Sequence, residues 1–299
     1  MSIKTFLPGT VIFREGEYGD SFYQVLSGSV EVTVSYGTDH ARRLTDLGPG
    51  SFFGEIAVIE KFPRTATIIA CQTGATLLEL SPDTMDDSFR ENPDLILSLM
   101  QHLGRRTVSL SSDCLEAREA LRKLKSADGS AVSPGLLERS RLFSAIFYKS
   151  GRSDKPSLET KMAAYEGKKV SDGYSNNVFA CKNGTVLFKE GEPGACMYAI
   201  HWGRIGIFSG YGTDQQEKIT ELSTNDFFGE VGMLCGQIRS ATAVALESDT
   251  TLEIIKSEDI RTLFEKNPAK VWMILDHLAR RLTTLTREYA GICREIAEA

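Results

Sequence analysis

Short segments with alternating apolar and polar residues open each half of this chain. Residues 30–34 (VEVTV) alternate, and residues 67–70 (TIIA) are rich in β-branched side chains. Such segments are typical of half-buried strands, and Gly16, Gly28 and Gly74 between them supply turn geometry. The pattern predicts many short strands at regular spacing, as in a small barrel or jelly roll.

Helical patterns follow the strands. Ser81 and Pro82 predict a helix start, with serine as the cap and proline at the first helical position. The segment breaks at Asn92-Pro93, and a long helix is predicted from about Asp94 to Lys125. Its counterpart runs from Pro268 towards the C terminus.

Both long helices carry an apolar stripe with heptad-like spacing. The stripes comprise Leu103, Thr107, Leu110, Cys114, Ala117, Leu121 and Leu124 in the first helix and Leu278, Leu282, Leu285, Tyr289, Ile292 and Ile296 in the second. Matching stripes are buried best against each other, within one chain or between two. The alternative, which fits the distal halves less well, is that each stripe packs only on its own barrel.

The whole pattern occurs twice, at a constant offset of 175 residues. Residues 53–67 (FGEIAVIEKFPRTAT) recur as residues 228–242 (FGEVGMLCGQIRSAT), and YGTD occurs at both 36 and 211. A self-match at a fixed offset indicates one folding unit used twice. The predicted domains are residues 1–125 and 178–299. The linker between them, residues 126–177, contains one helix that begins at Ser133-Pro134 and a polar stretch from Lys149 to Asn177.

Composition narrows the classes of function. The 299 residues suffice for two domains, and the net charge of −6 gives no general attraction to nucleic acid or to an anionic membrane. Residues 1–10 lack an apolar signal core, and no apolar run is long enough to span a bilayer. These features predict a cytoplasmic protein without nucleic-acid or membrane partners.

The cysteines and histidines give no sign of a metal site. The six cysteines are scattered without a CxxC pair, and the four histidines form no short-spaced ligand set. A metal-dependent enzyme on a jelly roll would need a histidine cluster, and no Ser-His or Cys-His arrangement is visible. We therefore expect no metal, no cofactor and no enzymatic activity.

The repeated string contains a candidate anion site. A glycine followed by a helical turn, as at Gly54-Glu55, directs backbone N–H groups to one point. Arg64, nine positions after Glu55, would return there with a planar fork suited to phosphate. The glutamate needs a donor, such as a sugar hydroxyl. The alternative is a salt bridge on the barrel rim, but the complete string, present twice, favours a ribose phosphate site.

This string closely resembles the phosphate-binding cassette of cyclic nucleotide-binding domains, as found in the catabolite gene activator and the regulatory subunits of cyclic-nucleotide kinases. The resemblance covers about residues 6–125 and 179–299. It implies an α+β fold with two β jelly-roll (double-stranded β-helix) barrels. Each barrel would carry a short phosphate-cassette helix and a long C-terminal helix.

The resemblance also implies roles for individual residues. Glu55 and Glu230 would take the ribose 2′-hydroxyl, and Arg64 and Arg239 would hold the cyclic phosphate. Backbone groups lining the same pocket would come from Gly54, Ile56, Ala57 and Thr65 in the first copy and from Gly229, Val231, Gly232 and Ser240 in the second. The family usually has alanine at the position of Gly232, a small change that preserves access.

The choice of base is less defined. Thr65 and Ser240 place a hydroxyl directly after the arginine. In this they resemble the domains of kinases that prefer cGMP, yet the bacterial activator also has serine there and takes cAMP. Ser111 and Thr286 fall where that activator's long helix offers a hydroxyl to the base, although such residues are also common on helix surfaces. The favoured ligand is cAMP, with cGMP as the alternative.

The segments around the two barrels suggest the role of the pair. The second helix runs almost to Ala299, which leaves no room for the DNA-reading domain of the activator. The first strand is reached by about residue 10, so the docking helices and inhibitor segment of kinase subunits are not expected. The sequence predicts a tandem sensor that signals through its long helices to an unidentified effector protein. It would be a monomer with paired long helices or a homodimer. The alternative is a ligand-free interaction scaffold, against which the intact Arg64 and Arg239 argue.

Overall fold

The computed structural model describes residues 2–59, 63–125, 133–148 and 167–299. Two barrels of antiparallel strands form in the two copies of the repeat. The first contains β1 (Ser2–Phe6), β2 (Val11–Phe13), β3 (Phe22–Val34), β4 (Arg42–Leu47), β5 (Phe52–Phe53) and β6 (Thr67–Leu80). The second contains β7 (Val178–Cys181), β8 (Val186–Phe188), β9 (Met197–Trp202), β10 (Ile205–Ser209), β11 (Glu217–Leu222), β12 (Phe227–Phe228), β13 (Thr242–Ala245) and β14 (Thr250–Ile255).

The two copies differ in how their longest strands are divided. In the first, β3 pairs with β6 along most of its length, and the register shifts on both sides of Gly28. In the second, the corresponding strands are each split in two, which gives the sheets β11-β10-β13-β8 and β12-β9-β14-β7. The predicted fold class, α+β with two jelly-roll barrels, is confirmed.

Seven helices complete the described part of the chain. They are α1 (Glu55–Ile59), α2 (Met85–Glu91), α3 (Asp94–Lys125), α4 (Pro134–Tyr148), α5 (Glu230–Cys235), α6 (Asp259–Lys266) and α7 (Pro268–Glu298). The long helices and the linker helix lie where the sequence predicts them. Helix α2 begins at Met85 rather than at Pro82, because the N–H groups of Thr84 and Met85 both donate to the Ser81 carbonyl and form a separate turn. None of the helices in the described ranges is both long and apolar enough to cross a membrane.

The barrel cores preserve the repeat. Each contains a stacked Tyr–Phe pair, with ring centroids 5.4 Å apart for Tyr23 and Phe53 and 5.0 Å apart for Tyr198 and Phe228. The buried core residues are Tyr23, Val25, Val30, Phe53, Ile68, Ala70, Ala75 and Leu77 in the first barrel and Tyr198, Ile200, Ile205, Phe228, Ala243, Ala245 and Leu252 in the second. Since every member of the second set follows its counterpart by 175 residues, one packing solution serves both barrels.

The compact units of the structure are not contiguous in sequence. One contains Met1–Asn92, Arg106–Ala163 and Ala279–Ala299, and the other contains Pro93–Arg105 and Ala164–Leu278. The first turns of α3 therefore belong with the second barrel, where a Cβ built on Gly104 would lie 3.0 Å from the Cys235 sulfur. The units divide the long helices differently from the sequence boundaries 1–125, 126–177 and 178–299. Those boundaries stay a prediction, and residues 126–132 and 149–166 of the linker lie outside the described residues.

In the first unit, the distal halves of α3 and α7 share one apolar cluster with α4. Its buried members are Cys114, Ala117, Ala120, Leu136, Tyr289, Ile292, Cys293 and Ile296. Ion pairs Arg118–Glu288 and Lys125–Glu295 flank the cluster, but exposed pairs of this kind contribute little to stability. Apolar burial therefore holds the helices together. Leu124, expected in the stripe, is 38% exposed, so that part of the prediction is wrong.

In the second unit, residues 170–176 are fastened to the barrel and are called the strap below. The Val170 N–H donates to the Asn225 side chain at 3.0 Å. The Asn267 amide donates to the Asp172 carbonyl at 2.7 Å. This end of the linker is thus tied to a loop of the barrel and to the residue that precedes α7.

A buried Lys270–Glu253 ion pair and the adjacent His201, together called the triad below, anchor the end of the strap. The Lys270 ammonium lies 2.8 Å from the Glu253 carboxylate and donates to the Tyr174 carbonyl at 2.9 Å. The same carboxylate lies 2.9 Å from His201 Nε2 and accepts the Asn176 N–H at 3.0 Å. Lys270 and Glu253 are almost completely buried. Such a pair is tolerated because all its partners are in place.

The triad should make stability depend on pH. Burial alone would raise the pKa of Glu253, but hydrogen bonds from His201, Lys270 and the Asn176 N–H hold that pKa below its usual value. A carboxyl group with a lowered folded-state pKa stabilises the fold above its unfolded pKa of about 4.3, and this contribution is lost as the pH falls through the folded pKa.

We therefore expect the urea midpoint to fall more between pH 7 and acidic pH in the wild type than in a variant with leucine at all three triad positions. An equal fall in both proteins would contradict this prediction.

Candidate functional site

The first cassette folds around one buried arginine. Gly54 has a φ of +82°, which glycine adopts without strain, and it directs the chain into α1. The Arg64 guanidinium returns to this turn, where Nη1 donates to the Gly54 carbonyl at 2.7 Å and Nη2 donates to the Ser21 carbonyl. The guanidinium carbon lies 4.1 Å from the centre of the Phe13 ring, a cation–π contact.

The second cassette reproduces this geometry. Gly229 has a φ of +77°, and Arg239 donates through Nη1 to its carbonyl at 2.6 Å. Arg239 Nη2 donates to the Cys196 carbonyl at 2.7 Å, and the guanidinium carbon lies 4.1 Å from the centre of the Phe188 ring. Each copy therefore places a cation beside the glycine turn that begins its cassette helix.

Each cassette also holds a buried carboxylate at the start of its helix. Glu55 is 5% exposed and lies 3.6 Å from Arg106 Nε. Glu230 is 1% exposed and lies 4.0 Å from His277 Nε2. In both copies, a buried arginine that can bind an anion and a buried carboxylate that can accept hydrogen bonds thus lie nine residues apart in one cassette. This combination suits a ligand with both a phosphate and a hydroxyl group.

Burial affects the charge of the arginine only slightly. Desolvation lowers the pKa of Arg64, while Tyr23 and Asp20 act in the opposite direction. A guanidinium stays protonated at neutral pH under such a shift. The first cassette therefore keeps a fixed positive charge shielded from water, where it acts more strongly on an anion than it would in solution.

Comparison with known families assigns the repeat. The family model for the cyclic nucleotide-binding domain matches residues 3–92 and again residues 179–267. The chain belongs to this family. Its two domains each contain one of the cassettes described above.

The curated relatives are regulatory proteins. The cAMP-dependent protein kinase regulatory subunit of Debaryomyces hansenii is 26% identical over 87% of this chain and 44% of its own length. The subunit of the same name from Colletotrichum orbiculare is 26% identical over 84% of this chain and 52% of its own length. The chain thus spans about half the length of these relatives. They are regulatory rather than catalytic subunits, in agreement with the expectation that the chain is not an enzyme.

Solved structures also align with parts of the chain. The regulatory domain of Toxoplasma gondii PKA with cAMP is 19% identical, covers 92% of this chain and 83% of its own, and has a TM-score of 0.27. The Thermus thermophilus catabolite activator protein is 26% identical, covers 44% of this chain and 57% of its own, and has a TM-score of 0.32. With TM-scores this low, the alignments add nothing to the assignment.

The remaining predicted site residues adjoin the arginine or the glutamate in sequence. Ala57 and Gly232 are buried in their cassette helices, and Ile56 and Val231 beside them are partly exposed. Thr65 is half-buried, whereas Ser240 is exposed. Each domain thus brings its own set together along the cassette helix and at the returning arginine.

The sequence analysis missed a glycine that closes each site. A Cβ on Gly19 would lie 2.1 Å from Arg64 Nη2, so a side chain there would displace the guanidinium from its present position. A Cβ on Gly194 would lie 2.4 Å from the Gly232 Cα. Gly232 therefore does more than preserve access, because alanine there would meet the backbone of Gly194. The repeat itself could have revealed Gly19 and Gly194, since they too are 175 residues apart.

The two possible base contacts lie in the first compact unit. Ser111 Oγ donates to the Thr107 carbonyl at 2.8 Å, and Thr286 Oγ1 donates to the Leu282 carbonyl at 2.8 Å. Thr286 is buried. It belongs to the second copy of the repeat in sequence but to the first compact unit in the structure. Hydroxyls bonded to their own helix are ordinary, and a role in contacting the base stays a prediction.

Among the described residues, no group of three or more His, Cys, Asp or Glu side chains is arranged to hold a metal ion. The chemistry of the two sites rests on arginine, glutamate and backbone groups. These groups can hold the phosphate and a hydroxyl group of a ligand.

Proposed function

We propose that this chain is a tandem cAMP sensor of the regulatory-subunit type. The observation that carries the proposal is the buried Arg–Glu pair that begins each cassette, at Arg64 and Glu55 and at Arg239 and Glu230. The relatives that match the chain are named as regulatory subunits of cAMP-dependent protein kinases. Two sites of the same composition support two bound nucleotides, with cGMP as the alternative ligand.

The site geometry indicates how the nucleotide would be recognised. Arg64 and Arg239 would turn their guanidinium forks to the cyclic phosphate, with N–H groups of the neighbouring glycine turns completing the anion site. Glu55 and Glu230 would accept a hydrogen bond from the ribose 2′-hydroxyl. The guanidinium groups already contact backbone carbonyls, so ligand binding would exchange or share these bonds.

Signalling would pass through the long helices. Helix α3 follows the first barrel after the short helix α2, and α7 follows the second barrel after the short helix α6. A ligand that binds two arrangements of these helices with different affinity would shift their populations. We propose that an effector protein, a kinase catalytic subunit by analogy with the relatives, detects this shift. The proposed setting is the cytoplasm, with no nucleic-acid or membrane partner.

A ligand-free scaffold is the second candidate. The observation that favours it is that each arginine already donates to two backbone carbonyls and contacts an aromatic ring within its own barrel. In such a scaffold the arginines would serve only to close the barrel. Direct binding measurements separate the two candidates.

Isothermal titration of the intact chain with cAMP and with cGMP tests the proposal. We expect two sites, and we expect Arg64→Ala and Arg239→Ala each to weaken one of them about 100-fold, because a charge-assisted phosphate contact is lost. Arg90→Ala is the matched control, since Arg90 lies on α2 with its side chain 73% exposed. If neither cAMP nor cGMP binds the folded wild type, the ligand-free scaffold is favoured.

A further inference from the structure

Two neighbouring residues that precede the cassette and lie near the arginine in space differ between the two domains. The first copy has Asp20-Ser21, whereas the second has Ala195-Cys196. The Cys196 sulfur lies 3.8 Å from Arg239 Nη2 and is therefore a direct neighbour of the guanidinium. Cys196 is half-buried, with its side chain packed partly against the barrel core.

The guanidinium beside this thiol has an unused donor. Arg239 is 5% exposed, and its Nε has no hydrogen-bond partner among the described residues. The pKa of the Tyr198 hydroxyl is raised mainly by burial and also by its hydrogen bond with Cys196. The thiol thus lies between a buried phenol and a buried cation with spare hydrogen-bonding capacity. An oxygen atom added to the sulfur would meet a donor.

The space around Arg239 is narrow. A Cβ on Gly229 would lie 2.6 Å from Arg239 Nη1, and one on Gly232 would lie 3.1 Å from the same atom. The Gly194 backbone contacts Gly232 directly. Arg239 is therefore confined on this side, and an oxygen atom added to the nearby Cys196 sulfur would compete for its hydrogen bonds or displace it.

We propose that Cys196 is an oxidation site through which peroxides weaken nucleotide binding at the second cassette and leave the first unaffected. This inference rests on the proposed function. In the step, the Cys196 sulfur attacks one peroxide oxygen, an S–O bond forms, and the O–O bond breaks. The sulfur loses two electrons, the leaving oxygen gains them and departs as water after taking a proton, and a sulfenic acid remains. Its oxygen would accept a hydrogen bond from Arg239 and compete with the phosphate.

Cys181 and Cys235, which are also half-buried, are poor targets for oxidation. Burial raises the pKa of the Cys181 and Cys235 thiols, which disfavours the reactive thiolate. Cys235 is nonetheless the informative control, because it ends the cassette helix of the same domain. Ser21, the counterpart of Cys196 in the first copy, provides the reciprocal variant.

The test is a titration of the intact chain with cAMP before and after treatment with hydrogen peroxide, with the oxidised residues identified by mass spectrometry. In the wild type we expect the second site to weaken at least tenfold, the first to keep its affinity, and dithiothreitol to reverse the loss. Cys196→Ser should abolish the effect, Cys235→Ser should retain it, and Ser21→Cys should extend it to the first site.

Two results would overturn the inference while leaving the proposed function intact. One is normal binding at the second site when Cys196 is shown to be oxidised. The other is a loss of binding that persists in Cys196→Ser. Absence of cAMP binding in the untreated chain would instead overturn the proposed function, and this inference with it.

Discussion

Replacing Lys270 with alanine should lower the free energy of unfolding by about 3–5 kcal/mol, because it leaves a buried carboxylate without its cation. The Lys270 ammonium lies 2.8 Å from Glu253 and also donates to the Ser175 hydroxyl of the strap at 2.8 Å. The remaining partner, His201, lies 2.9 Å from the same carboxylate but does not replace the lysine's bonds to the strap. Urea unfolding followed by circular dichroism measures the loss.

The first copy supplies a matched control for this prediction. Its residues at the positions of Lys270, Glu253 and His201 are Leu95, Leu78 and Leu26. The triple variant Lys270→Leu, Glu253→Leu, His201→Leu removes the buried charges together and should stay within about 2 kcal/mol of the wild type, as other buried ion pairs replaced by apolar residues do. A Lys270→Ala variant as stable as the triple variant would contradict this account of the triad.

The apolar variant should nevertheless lose the strap. Without Lys270 and Glu253, the Tyr174 carbonyl and the Asn176 N–H lose the partners that they have in the wild type. The triad would then serve to hold the linker in place rather than to stabilise the barrel. Limited proteolysis of the triple variant should cut at residues 170–176 while the barrel stays folded.

The sequence predicted the features that a repeat preserves. The buried cores, the cassettes and the long helices follow from local patterns that occur twice, so an error in one copy would have been visible in the other. The strap is different because the side chains that hold it occur in the second copy, where Lys270, Glu253 and His201 stand at positions that are leucine in the first. Such a departure from the repeat is the signal in the sequence that could have revealed it.

The division of the long helices could not be read from the sequence. An apolar stripe specifies that a face is buried, not which surface buries it. Residues 93–105 follow the first barrel in sequence but belong to the second compact unit. The hydrogen-bond partners of the arginines could not be predicted from the sequence either. Ser21 and Cys196 accept these bonds through their backbone carbonyls, which any residue supplies.

Gly28→Ala should lower the free energy of unfolding by at least about 3 kcal/mol, since it combines backbone strain with a steric clash. Gly28 has a φ of +73°, and a Cβ built there would lie 2.1 Å from the Gly74 carbonyl oxygen. Neither backbone can retreat easily, because β3 and β6 pair on both sides of this point. The clash would therefore disturb the register that places β5 and the first cassette.

Gly37→Ala isolates the strain from the clash. Gly37 has a φ of +83°, but a Cβ built there would have no atom within 4 Å, so it should cost only the roughly 1–2 kcal/mol of the left-handed conformation. The difference between the two variants in urea unfolding then measures the close approach at Gly28. Equal losses would show that the two strands can separate there at little cost. In that case the close approach of β3 and β6 at Gly28 would not be what fixes the position of the first cassette.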